Sequence, residues 1–223
     1  MLLGAMAALL AAACVQQQRA PRKISVQMYT THGYTLEESI VGLAKLGITR
    51  IESTPIQKIS KKFGNALFNP DSTPEQREFV KKLLADNGMA ITTIYYIPPK
   101  NEEQLAKLME FGREFGVRLF VGESREDMLD LWEKYCRKYG AKMAIHCHQR
   151  GSNTPYWNPE TVRKIVDKYK NIGFCAETGA WSRSGIDPIA ALKTADGKIF
   201  ALHLKDQKTF GDINSPGVNY GTG

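Results

Sequence analysis

Histidine is scarce in this chain, with four residues in 223, and cysteine is equally sparse at four. No two cysteines form a C-x-x-C pair, which excludes the clustered thiolates of a zinc ribbon or an iron–sulfur site. Beyond Cys14, the remaining Cys136, Cys147 and Cys175 are odd in number. Two of them fall inside apolar runs, so they read as buried free thiols. No apolar run reaches the roughly 18–20 residues of a membrane helix; Met1–Ala13 comes nearest and is too short. A glycine-rich turn after the first strand is also missing, since Tyr29–Tyr34 reads YTTHGY. That excludes a Rossmann nucleotide fold and leaves no phosphate cradle. The formal charge is +7, yet basic residues are interleaved with acidic ones, as in Arg125-Glu-Asp and Glu133-Lys. A solvated helix surface follows, and nucleic acid is not an expected partner.

What is present falls into two parts. Residues 1–20 are set apart: an Ala- and Leu-rich run, then Cys14, then polar QQQRAPRK. This reads as an export signal, with Ala13-Cys14 resembling the cleavage and lipidation site of a bacterial lipoprotein. No basic residue precedes the apolar run, so an ordinary Ala-rich signal is the alternative. The expected location is the periplasm or a membrane anchored through Cys14, and the cytoplasm if the leader is not a signal.

Residues 21–223 repeat a strand–helix unit every 25–30 residues or so, which favours one domain. Expected strands are Lys23–Thr30, Ile48–Pro55, Met89–Pro98, Val117–Ser124, Ala141–His148, Ile172–Glu177 and Ile199–Gln207. Helices are expected between them. Thr35 with Glu38 forms a capping box, Pro74 sits in a first turn, and Asn158-Pro159 and Asp187-Pro188 are helix starts. Strict alternation implies a parallel sheet wrapped by helices. Polar residues at many strand ends, rather than in one crevice, favour the (β/α)₈ TIM barrel. About seven strands are present. Lys208–Gly223 is Gly-rich and predicts no further element, so the barrel is expected to be incomplete at the C-terminus, short of about 45–60 residues. The alternative is a seven-stranded open sheet with two unpaired edges.

The strand ends carry the chemistry. They offer His32, Glu52, Glu123, His146 and His148, Glu177, and then His203 with Lys205 and Asp206. Three of the four histidines thus close predicted strands. Residues two apart on a strand share a face, so His146 and His148 point together, as do His203 and Lys205. Successive parallel strands ending in such side chains converge on one barrel face. An imidazole–carboxylate set without sulfur suits one divalent ion such as Mn, Co, Zn or Fe.

Several stretches resemble the sugar phosphate isomerase/epimerase family of xylose isomerase-like TIM barrels. These are AIHCHQ (144–149), IGFCAETGAWSRSGIDPIAAL (172–192), GKIFALHLKD (197–206) and VNYGTG (218–223). The resemblance implies one divalent metal held by His146, Glu177 and His203, with a fourth ligand beyond Gly223. It implies a sugar pocket lined by His148, Trp181, Arg183 and Lys205. Homo-oligomers are common in such a family. Where the family reads D-T-G-H-W, this chain has Glu177-Thr-Gly-Ala180-Trp, which pushes the carboxylate out by one methylene, about 1.5 Å.

The expected activity is a metal-dependent isomerisation or epimerisation of a carbohydrate through an enediolate. Glu123 is the candidate base, Glu177 acts mainly as a ligand, and Lys205 is a further catalytic group. An exported member would also suit cleavage of a 3-keto-glycoside by β-elimination. A degenerate barrel that binds sugar without turnover is the third reading. The endonuclease IV branch of the same fold needs a cluster of metals, for which four histidines are too few.

Overall fold

The computed structural model describes residues 24–223; the leader and Cys14 lie outside the described residues. Seven strands form one parallel sheet in sequence order. They are β1 (Val26–Gln27), β2 (Arg50–Ser53), β3 (Ala90–Tyr95), β4 (Leu119–Gly122), β5 (Lys142–His146), β6 (Ile172–Glu177) and β7 (Ile199–His203). The intervening helices are α1 (Leu36–Lys45), α2 (Pro74–Asp86), α3 (Glu102–Glu114), α4 (Leu129–Tyr139), α5 (Pro159–Val166), α6 (Thr178–Arg183) and α7 (Pro188–Thr194).

The sheet is curled, and one contact shows by how much. Glu52 on β2 and His203 on β7 are five ladder steps apart, about 24 Å in a flat sheet. Their Oε1 and Nε2 atoms are 3.0 Å apart. β1 and β7 each pair with one neighbour only, so the described residues form an open barrel rather than a closed one.

Period-two alternation sorts the side chains between two cores. Met143, Ile145 and Cys147, like Ile172, Phe174 and Ala176, face outward into the main core beneath the helices. Ala144 and Cys175 face inward with Val121 and form a small interior cluster. His146 and Glu177 continue those inward rows at the carboxyl ends of β5 and β6. The three cysteines of the body are buried and free, as their apolar settings imply.

The helix starts follow the sequence. Thr35 and Glu38 close a capping box on α1, and Thr73 and Gln76 do so on α2. Asn158 and Asp187 cap α5 and α7, each with proline following. Side-chain caps of this kind contribute about 1 kcal/mol each.

Three local expectations need correction. Strand one is only two residues long and turns into a 3₁₀ helix over Met28–Thr31, because the Gln27 side chain accepts the Tyr29 N–H. Residues 178–183, outside the helices expected from the sequence, form the short helix α6. The expected strand seven ends at His203, and its last two residues form β8 (Asp206–Gln207), which pairs antiparallel with β9 (Gly217–Val218) in the Gly-rich tail, where the Asp206 carboxylate accepts the Gly221 N–H at 2.7 Å. Two-residue strands carry no periodicity for a sequence to show. No helix of the described residues is long and apolar enough to cross a membrane.

Candidate metal centre

The carboxyl ends of β5, β6 and β7 bring His146, Glu177 and His203 together. One ligand atom from each lies within 4.8 Å of the other two. One oxygen, Glu177 Oε2, is the hub: it lies 3.4 Å from His146 Nε2, 3.5 Å from His203 Nδ1 and 3.3 Å from Lys205 Nζ. Glu177 is 2% exposed and His146 9%. The extra methylene of Glu177 therefore does not carry its carboxylate past the rings.

Each histidine has a second carboxylate behind it. His146 Nδ1 is 2.9 Å from Glu123 Oε1, just beyond β4. His203 Nε2 is 3.0 Å from Glu52 Oε1 on β2. Tyr95 on β3 donates its hydroxyl to Glu123 Oε1 at 3.4 Å.

The charges hold one another. Burial works against the Glu177 carboxylate, but His146, His203 and Lys205 outweigh it and keep the group well below its ordinary value. Burial likewise opposes the His146 imidazolium, and Glu123 and Glu177 raise it above its ordinary value. For His203, burial is overcome by the Cys175 sulfur, Glu177 and Glu52, again raising the ring. His148 has no such support, and burial lowers it.

The donor set fits a divalent cation on an independent count. Among the described residues, seven buried side-chain polar atoms lack a hydrogen-bond partner. Four of the seven, Glu52 Oε1, His148 Nδ1, Glu177 Oε1 and His203 Nε2, belong to this one cluster. The Glu52–His203 contact is close but not in line for a hydrogen bond, so both its atoms are in that group. An orphaned buried polar atom costs about 1–3 kcal/mol, and a concentration of metal-ligand types at one point is relieved by a cation.

The other sequence candidates take distinct positions. Lys205 reaches the hub with a side chain 61% exposed. Arg183 donates to Gln207 Oε1 at 2.9 Å and Gln149 Oε1 at 3.2 Å, bracing the rim between β5 and the tail. His148 packs edge-on to His146, with ring centroids 5.6 Å apart. Trp181 departs from expectation: it is 0% exposed within the main core, because helix α6 turns it under the rim, so it supports the site from below. His32 is on the surface, stacked on Tyr29 at 4.4 Å, and does not join the cluster. Asp206 is committed to the tail. Glu52, a strand-end residue with no role assigned from the sequence, and Tyr95, absent from that reading, both join the site. Both stand at the carboxyl end of a strand, Glu52 next to last in β2 and Tyr95 last in β3.

The profile of the xylose isomerase-like TIM barrel family matches residues 42–223. No curated protein matches the chain by sequence. Among solved structures, an uncharacterized protein from Parabacteroides distasonis is 26% identical, with 84% of this chain and 76% of that one covered at a TM-score of 0.71. A xylose isomerase-like TIM barrel protein from Mycobacterium smegmatis, solved with magnesium, is 13% identical (83% and 75% covered, TM-score 0.65). A D-psicose 3-epimerase solved in the presence of D-fructose is 12% identical (82% and 72% covered, TM-score 0.65). With a parallel βα sheet curled about a His–Glu–His rim and a family match over residues 42–223, this chain belongs to the xylose isomerase-like TIM barrel family.

Proposed function

We propose that this chain is a divalent-metal-dependent isomerase or epimerase that moves a proton next to the carbonyl of a carbohydrate. The observation that carries the reading is the convergence of His146, Glu177 and His203 within 4.8 Å, amid buried donor atoms without partners. The epimerase among the structural neighbours supports a carbohydrate as the substrate class.

His146, Glu177 and His203 would hold the ion, which supplies positive charge where the substrate's carbonyl oxygen becomes negative. The chain's own residues do the rest. Glu123 uses Oε1 toward His146 and Tyr95, and its side chain is 22% exposed. Its second oxygen is the base that takes the proton from the carbon beside the carbonyl. Lys205, tethered to Glu177 but open to solvent, donates to a sugar oxygen. His148, half-buried against His146, lines the sugar pocket. Residues 1–20, as an export leader, would place that sugar outside the cytoplasm. Fatty-acid labelling that is lost in Cys14→Ser tests the anchor.

The test of the activity has two readouts. Mn, Co, Zn and Fe are quantified in the purified full chain and in His203→Ala. Both proteins are then incubated with ketoses in heavy water, and deuterium entry next to the carbonyl is followed by NMR. Metal and exchange are expected in the first protein and neither in the second. A wild-type chain that holds no metal and exchanges no proton ends the reading.

A further inference from the structure

Glu52 is a buried carboxylate to which the proposed reaction gives no task. It lies near the carboxyl end of β2, is 5% exposed, and its Oε1 has no hydrogen-bond partner. A charge in such a place is expensive unless something pairs with it. The nearest group is His203 Nε2, at 3.0 Å.

The arrangement mirrors that on the far side of the hub. His146 turns Nε2 to Glu177, at 3.4 Å, and Nδ1 to Glu123, at 2.9 Å. His203 turns Nδ1 to Glu177, at 3.5 Å, and Nε2 to Glu52, at 3.0 Å. Both rings thus lie between a central carboxylate and an outer one, but they are flipped with respect to each other. A ring nitrogen that donates to a carboxylate leaves the opposite nitrogen with its lone pair, which is the atom a cation takes.

We propose that Glu52 is a positioning residue: with the His203 ring turned into line, Glu52 accepts its Nε2–H and holds the ring with Nδ1 toward the ion. Glu123 imposes the opposite tautomer on His146, so the two histidines bind one ion through different nitrogens. This rests on the metal-dependent reading above. The competing partner for His203 is the Cys175 sulfur beneath it. A cysteine sulfur is a weak acceptor. The carboxylate is the stronger one.

The chain has only four histidines, so the test is spectroscopic. The full chain, labelled with ¹⁵N-histidine and loaded with Zn²⁺, is examined by long-range ¹H–¹⁵N correlation of the ring nitrogens. His32→Gln and His148→Gln assign the other two rings. Expected is zinc on Nδ1 of His203 with Nε2 protonated, and zinc on Nε2 of His146 with Nδ1 protonated. Zinc on Nε2 of both rings overturns the proposal while leaving the metal reading intact. A chain that takes up no zinc at all sinks both.

Substitution gives a second readout by competition with a chromophoric chelator. Glu52→Ala is expected to weaken Zn²⁺ binding by about 10–100-fold. Glu52→Gln, which keeps the shape and one acceptor oxygen, is expected to restore part of the loss. If Glu52→Ala folds and binds zinc within twofold of wild type, Glu52 has no positioning role. If it does not fold, the wild-type tautomers decide.

Discussion

His146 and His203 present opposite ring nitrogens to a single oxygen of Glu177, Nε2 at 3.4 Å and Nδ1 at 3.5 Å. Three side chains from three adjacent strands therefore share one point, and that point is an anion. Glu177→Gln keeps the volume and removes the charge. Metal affinity is expected to fall at least about a hundredfold, beyond the 10–100-fold typical of outer partners. Glu177→Asp draws the carboxylate back by about 1.5 Å and is expected to bind metal more weakly than wild type but better than the amide. Chelator competition on the two variants checks the order, and equal affinities would contradict the hub.

The same charges set a pH dependence. His146 and His203 are both raised above their ordinary value of 6.5. The stability they contribute is full below pH 6.5 and is lost as pH rises through their folded values. Glu177 is lowered from 4.5, so its contribution is present above pH 4.5 and is lost as pH falls through its folded value. For the metal-free chain in chelator, Tm is expected to decline as pH is raised from 6.5. Metal affinity should strengthen over the same range, because the ion must displace ring protons. Thermal melts and zinc titrations from pH 6 to 9 check both, and a Tm that climbs with pH would contradict the assignment.

A buried network fixes the strand end that carries Glu123. The Ser124 hydroxyl accepts the Trp132 Nε1–H at 2.6 Å and bonds the Tyr96 hydroxyl at 3.1 Å, while its carbonyl accepts from Tyr156 at 2.5 Å. Ser124→Ala leaves the Trp132 N–H and the Tyr96 O–H without that partner in the interior. The cost of such orphaned donors is about 1–3 kcal/mol each. A loss of about 2–4 kcal/mol in urea unfolding is expected, larger than for Ser182→Ala on half-exposed α6.

How much of this was legible beforehand depends on the length scale of the signal. The helices announced themselves through caps such as Thr35 and Asn158, and the inward row Ala144–His146 through period two. The three candidate ligands were visible because each ends an apolar run. The Glu52–His203 contact was not visible, since it joins residues 151 positions apart across a curl that no local pattern encodes. Trp181 misled for a related reason. Its place in the motif is beside the carboxylate, but one turn of α6 swings it into the core. The β8–β9 hairpin is held by Asp206 and by backbone pairing of two residues a side, below the length at which sequence period speaks.

Glu123 combines two tasks that an isosteric change separates. Its Oε1 faces His146 Nδ1 at 2.9 Å, and an amide oxygen in the same place still accepts that N–H. An amide cannot take a proton from carbon. Glu123→Gln is therefore expected to hold zinc within about tenfold of wild type, at the mild end of the loss seen for outer partners. Deuterium exchange into the sugar should drop by about 10²–10⁴-fold, the range of a lost general base. His203→Ala, by contrast, loses metal and exchange together. If Glu123→Gln exchanges as fast as wild type with zinc bound, the base is another group at the rim, and Lys205 is then the one to substitute.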